Sequence, residues 1–272
     1  AQKAPIYLFR VLMEAAAKAK DPQKAKSLTE RAVQQSNALI KQLPGQSLRN
    51  LRYIAFGLVK KNDAFEYETP APKLVLAALD ELLKRLKSTK DESEKKQLKR
   101  LEEKALYYKS IVLTLLGKEL DALKVIDKIL ATNKKSAYLF RLYTQKAVIY
   151  FRQKKYNEAL RAIAEVTTKA DRTRYKVDYW NALLLLGRIY LGKETKAATQ
   201  RAVLTFQSLK EYIDKNDKEL QPFKEAGYYY LARCYALLGQ HEKANEVQTE
   251  YLRLYPTGKW RKLIGKLPNP AY

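Results

Sequence analysis

The sequence predicts an all-α protein, and three observations carry that reading. Gly and Pro are scarce, at nine each in 272 residues. No Pro occurs between Pro72 and Pro222, a span in which β architecture would need many turn residues. Ala, Leu, Lys, Glu, Gln and Arg dominate, and these are the strong helix formers. With 46% hydrophobic and 30% charged residues, the chain suits a packed globular or solenoid protein and not a disordered one.

The elements follow in order. PIYLFRVLMEAAAKAK and DPQKAKSLTERAVQQSNALIKQL make a first helical hairpin. Asp21 before Pro22 opens its second helix, because the carboxylate accepts free amides and Pro sits where a missing N–H does no harm. Leu43-Pro44-Gly45 closes that helix. A third helix is predicted from about Ser47 to Lys61, with Leu48, Leu51, Ile54, Ala55 and Leu58 on one face. KNDAFEYETPAP interrupts the pattern as a linker, and Thr69-Pro70 prepare the helix KLVLAALDELLKRLKS. In STKDESEKKQLKR, Asp91 or Ser93 is the expected cap, and the mixed charges read as a solvated helical face. The organisation predicted is a helical hairpin region over 1–62, a linker and charged helix over 63–103, repeats over 104–256 and a basic tail or cap over 257–272.

From about residue 104 the pattern repeats. Small residues Ser110, Ala147, Gly187 and Ala232 occupy corresponding points of four first helices, 37, 40 and 45 residues apart. Ala122, Ala159, Ala202 and Ala244 answer them from the second helices, allowing close approach, and large apolar neighbours fill the space between. GYYYLARCYALLGQHEKANEVQTEYLRLYP resembles the tetratricopeptide motif at nearly every point: Tyr228, Leu231-Ala232 and Tyr235, then Gly239, then Ala244, Tyr251 and Pro256. The preceding hairpin departs from it by about three extra residues in LGKETKAATQ, read as a longer inter-helix turn. The wide spacing, against about 34 residues in regular arrays of this family, implies longer helices or wider loops. Residues 5–43 are a further, degenerate hairpin.

The resemblance implies a right-handed superhelical solenoid of antiparallel hairpins whose first helices line a concave face. Carried onto this sequence, that face includes Tyr107, Thr144, Arg152, Asn181, Arg188, Tyr229 and Arg233. Arg and Tyr are common interface anchors, so the expected function is a non-enzymatic scaffold binding a protein or peptide, acidic by preference, within a larger assembly. Arg188 and Arg233 fall at equivalent points of successive hairpins, and Glu194 and Glu225 are the carboxylates that could instead pair with them. Family members that hold a peptide C-terminal carboxylate use a Lys/Asn clamp. Here those positions are Tyr107 and Ile111, then Thr144 and Val148, which argues against that role.

The net charge of +24, from 53 Lys and Arg against 29 Asp and Glu, is uneven. Residues 1–60 carry eleven basic and three acidic side chains, 121–180 fourteen and six, but 61–120 thirteen and eleven. The alternative function is therefore binding of RNA or another anionic polymer; a lysine-rich composition without a partner explains the charge equally.

Chemistry is sparse. Neither a phosphate-binding glycine loop nor a nucleophile elbow occurs, and neither a metal site nor a cofactor is expected. His241, the single histidine, falls in the turn from Gly239 to Glu242, where a solvated polar residue is expected. Cys234, also single, reads as a buried small hydrophobe. Glu102/Glu103 and Asp214/Asp217 read as surface charge. No run is apolar enough to span a membrane. The tail TGKWRKLIGKLPNPAY places Trp260, Leu263, Ile264 and Leu267 among Lys and Arg, suiting an end cap or peripheral contact with an anionic membrane. The start AQKAP reads as a mature N-terminus, favouring an exported, periplasmic setting slightly over the cytoplasm.

Overall fold

Helices form where apolar periodicity and capping residues coincide. The computed structural model describes residues 4–62, 66–88 and 95–267, and the chain divides into two units, Ala1–Leu139 and Phe140–Tyr272. In the first, α1 (Ala4–Lys18) packs on α2 (Pro22–Gln42). Asp21 is the N-cap of α2, accepting the Gln23 N–H at 2.9 Å, and a 3-10 turn at Leu43–Gly45 ends it.

The predicted third helix is shorter than its pattern. α3 (Leu48–Arg52) opens on Ser47, which accepts the Asn50 N–H, and gives way to a π-helical turn at Tyr53–Gly57. A π turn adds one residue to the repeat, so the inward position passes from Leu58 to buried Val59. Lys60–Lys61 then pairs antiparallel with Tyr67–Glu68.

α4 (Pro72–Ser88) lies inside the region read as linker and charged helix, yet it is a core element. Leu74, Val75, Ala78, Leu79, Leu82, Leu83 and Leu86 are buried. It packs against α2, α3 and α5 (Lys95–Leu115), and α6 (Glu119–Thr132) packs on α5. Arg85 ties α4 to the end of α2: Nη1 donates to the Gln46 carbonyl at 2.7 Å, and Nη2 to the carbonyls of Pro44 at 2.7 Å and Leu43 at 3.2 Å. The proposed caps Asp91 and Ser93 lie outside the described residues.

The second unit holds α7 (Leu139–Arg152), α8 (Tyr156–Lys169), α9 (Lys176–Gly192), α10 (Lys196–Tyr212), α11 (Gln221–Leu237), α12 (His241–Leu254) and the short α13 (Arg261–Ile264). α8 packs on α9, α9 on α10, α10 on α11, and α11 on α12. Ala147, Gly187 and Ala232 are buried, as are Ala159, Ala202 and Ala244. Lys176 bridges α9 to the loop before α11 through Asp217 at 3.0 Å and Glu219 at 2.9 Å.

Four hairpins share one turn. α5–α6, α7–α8, α9–α10 and α11–α12 are each joined by three residues, the middle one left-handed: Gly117 (φ 72°), Lys154 (58°), Glu194 (53°) and Gly239 (71°). The α9–α10 turn is therefore no longer than the others. The extra residues lengthen helices, since α9 and α10 have 17 residues each where α7 and α8 have 14. The consequence is a shift of facing residue. Counted from the turn, the match to Ala122, Ala159 and Ala244 is Thr199, 6% exposed, with Ala202 one step further in.

A left-handed non-glycine residue costs roughly 1 kcal/mol. Lys154→Gly and Glu194→Gly should each cost little or raise stability by a few tenths of a kcal/mol. Gly117→Ala should lower it by about 1 kcal/mol, read as a clearly lower urea midpoint for Gly117→Ala beside little change or a small rise for the two glycine variants.

The tail is a cap. Trp260 is 7% exposed and Ile264 fully buried. The indole stacks on Tyr229, centroids 4.7 Å apart, and its backbone N–H donates to the Tyr251 hydroxyl at 3.1 Å. Trp260 and Ile264 are thus packed against α11 and α12, which leaves the indole little surface for the expected peripheral membrane contact, while Leu263 stays 48% exposed. Beneath it, Tyr228 donates to Glu250 at 2.8 Å and Tyr251 to Glu225 at 3.0 Å.

Burial, with the Glu250 carboxylate, pushes the Tyr228 hydroxyl well above its ordinary value, and burial with Glu225 does the same for Tyr251. Burial and the same two carboxylates push Tyr255 up to about 12. These groups fold as neutral phenols, so their contribution is complete below pH about 10. It is lost as pH rises from there through the folded values. Phenolate absorbance should therefore rise in step with loss of helix above pH about 10, with Tyr228→Phe raising the midpoint.

Candidate functional site

An open cleft of the second unit lies where α9 ends, α10 begins and α11 ends. Its volume is about 680 Å³, and it opens to solvent. Such a size lies within the range of ligand sites. Helical spacing explains its lining. Arg188 on α9 and Arg233 on α11 each follow the small packing residue of their helix by one position, and both reach this cleft. Lys196, first in α10, adds a third cation, and Glu194 a single carboxylate. Phe151, Leu191, Tyr230, Leu237 and Leu238 make the apolar wall.

The cations differ in their restraint. The Arg188 guanidinium lies over the Phe151 ring, 5.8 Å from its centroid, a cation–π arrangement that fixes its plane. Arg233 is exposed, and among the described residues no carboxylate lies within ion-pair distance of it. Glu225, its candidate structural partner, instead accepts the Tyr251 hydroxyl and the Lys259 N–H. A cleft with three cations, one anion and an apolar wall suits an anionic group carried beside apolar side chains.

The seven predicted groove residues separate. Arg188 and Arg233 come together in this cleft. Tyr107 belongs to the core of the first unit: it is 4% exposed, stacks on Tyr138 at 5.3 Å, and its hydroxyl lies 2.9 Å from that of Tyr67. Thr144, 7% exposed, donates back to the Phe140 carbonyl. Both are too covered to present a surface, because neighbouring aromatic side chains and the helix itself use their polar atoms. Tyr229 is half-buried beneath Trp260. Arg152 is exposed at the end of α7 and Asn181 half-buried on α9, and neither lines the cleft.

Sequence reasoning missed Lys196, Leu237, Leu238 and Phe151. A signal was available in part, since Phe151 and Leu191 stand two residues before their turns, while Leu237 ends α11 and Leu238 opens the turn after it.

Other expectations fall away from the cleft. His241 is the first residue of α12 and not a turn residue; it is half-buried, its Nδ1 enclosed without a hydrogen bond. Cys234 is fully buried, and burial pushes its thiol up to about 12, so it packs as a small hydrophobe. Glu103 accepts from Asn133 and from Ser136 at 2.8 Å, a structural tie and not free surface charge. Among the described residues no cluster of three metal-ligating side chains occurs, and no helix is long and apolar enough to cross a membrane. No family model and no curated protein matches the chain.

Proposed function

We propose that the chain is a non-enzymatic protein-interaction scaffold of tetratricopeptide-like hairpins, which holds an acidic segment of a partner protein in the cleft of its second unit. The observation that supports this most directly is the convergence of Arg188, Lys196 and Arg233 on one open cleft with an apolar wall. Guanidinium pairs recognise carboxylates by paired, directional hydrogen bonds. Phe151, Tyr230, Leu237 and Leu238 would bury the apolar side chains flanking that carboxylate, and desolvated aromatic and aliphatic anchors carry most interface energy. On this reading the hairpins form a right-handed superhelix, and the helices α9 and α11 supply part of its inner wall.

The test is capture of the native partner by the wild type and by Arg188→Ala/Arg233→Ala. Arg233→Glu serves as a second variant, since that side chain is exposed and reversal of its charge leaves the packing intact. Loss of the captured protein with an unchanged thermal melt supports the scaffold. Full retention by both variants sinks it. Recovery of RNA instead, with affinity falling steeply and linearly in log salt, favours the polyanion function.

A further inference from the structure

Exposed apolar side chains concentrate in the first hairpin. Tyr7 is 67% exposed, Leu8 45% and Val11 40%, while Phe9 and Leu12 of the same helix are 2% and 7%. α1 is thus apolar on two sides, one against the unit's core and one facing outward. A helix apolar all round is ordinarily covered on both.

Charge says what covers this one. Tyr7, Val11, Glu14 and Lys18 follow one another at helical spacing along the outward stripe, and Glu14 is already bound by Arg10 at 2.6 Å. The stripe leads to the tip of the hairpin, where Lys18, Lys20, Lys24 and Lys26 are all exposed. Lys18 lies near Glu14, whereas among the described residues Lys20, Lys24 and Lys26 form no ion pair with a carboxylate. Asp21, between them, is engaged as the N-cap of α2. An outward apolar stripe beside unneutralised lysines is the composition of an interfacial amphipathic element, and lysines near an anionic leaflet each add attraction. A nucleic acid would use the lysines and leave Leu8 and Val11 wet.

We infer that the α1–α2 hairpin docks on an anionic lipid surface, with Tyr7, Leu8 and Val11 entering the headgroup boundary and the tip lysines lying over acidic headgroups. This does not depend on the cleft of the second unit.

The test is flotation of the full chain with vesicles of phosphatidylcholine containing about one-third phosphatidylglycerol, against vesicles of phosphatidylcholine alone, at physiological salt. Binding is expected only with the acidic lipid. Lys20→Gln and Lys24→Gln should each weaken it about fivefold, and Tyr7→Ser/Leu8→Ser/Val11→Ser about tenfold or more. Leu8→Cys carrying an environment-sensitive dye gives a second readout, since Cys234 is fully buried and the label goes to position 8. Its emission should shift to the blue on acidic vesicles. Equal affinity of the triple serine variant and wild type, an unshifted dye, or no binding to acidic vesicles would each overturn the inference. So would tighter binding to polyuridylic acid that the apolar substitutions leave unchanged.

Discussion

Replacing Arg85 by Ala should destabilise the first unit by about 3 kcal/mol, the largest effect expected of any single polar side chain here. The end of α2 and the turn after it leave carbonyls without intrahelical partners. The Arg85 guanidinium takes those of Leu43, Pro44 and Gln46 at once, and its Nε donates to Glu81 at 2.8 Å. The side chain is 30% exposed and that of Glu81 15%, so water replaces these bonds only in part. Removing the guanidinium therefore leaves acceptors and a carboxylate poorly solvated, which costs more than the net worth of the bonds themselves. Arg85→Lys should recover little, because one ammonium cannot span three carbonyls in a fixed fork. Urea unfolding gives the magnitude, and hydrogen exchange of α2 and α4 amides localises it. A loss under about 0.5 kcal/mol would show that the three carbonyls are solvated without Arg85.

Gly187→Ala is expected to cost about 2 kcal/mol, a large effect for a single methyl group. A Cβ at Gly187 would lie 2.5 Å from two atoms of the Phe206 ring. The ring has little room to retreat, since it is fully buried and stacks on Tyr230 with centroids 5.1 Å apart at 16°. Phe206→Leu alone leaves a void and should cost about 1–2 kcal/mol. Combined with Gly187→Ala it removes the clash, so the double variant should be more stable than the two single losses predict, by about 1 kcal/mol. Additive losses would mean that Gly187 and Phe206 do not share this space. Tyr230, on which this ring stacks, lines the open cleft, so on the proposed scaffold function Gly187→Ala should also weaken partner capture, whereas Arg85→Ala should leave it unchanged.

Much of the fold was legible in the chain because helix formation is local. Asp21-Pro22, Ser47 and Leu43-Pro44-Gly45 act on neighbouring backbone groups, and the structure places caps and stops at each. The small residues Ser110, Ala147, Gly187 and Ala232 were readable because close helix approach leaves one kind of mark. The path of α3 was misread where a π turn moved the inward position from Leu58 to Val59. No periodicity argument that assumes a fixed repeat per turn registers such a shift. The α9–α10 turn was misread for a related reason, since added residues can lengthen either a loop or a helix and composition does not say which.

The sequence by itself determined the helical class, the hairpin repeat and the equivalence of Arg188 with Arg233, all of which rest on spacing along single helices. Tertiary structure alone decided which of those positions are open. Tyr107 and Thr144 share their predicted face with Arg188 and Arg233, yet Tyr67 and Tyr138 cover the first, and the second is buried with its hydroxyl turned to its own helix. Trp260 covers Tyr229 from beyond the last hairpin. Exposure of a helix face depends on what packs against it from distant parts of the chain, and helical period carries no information about that.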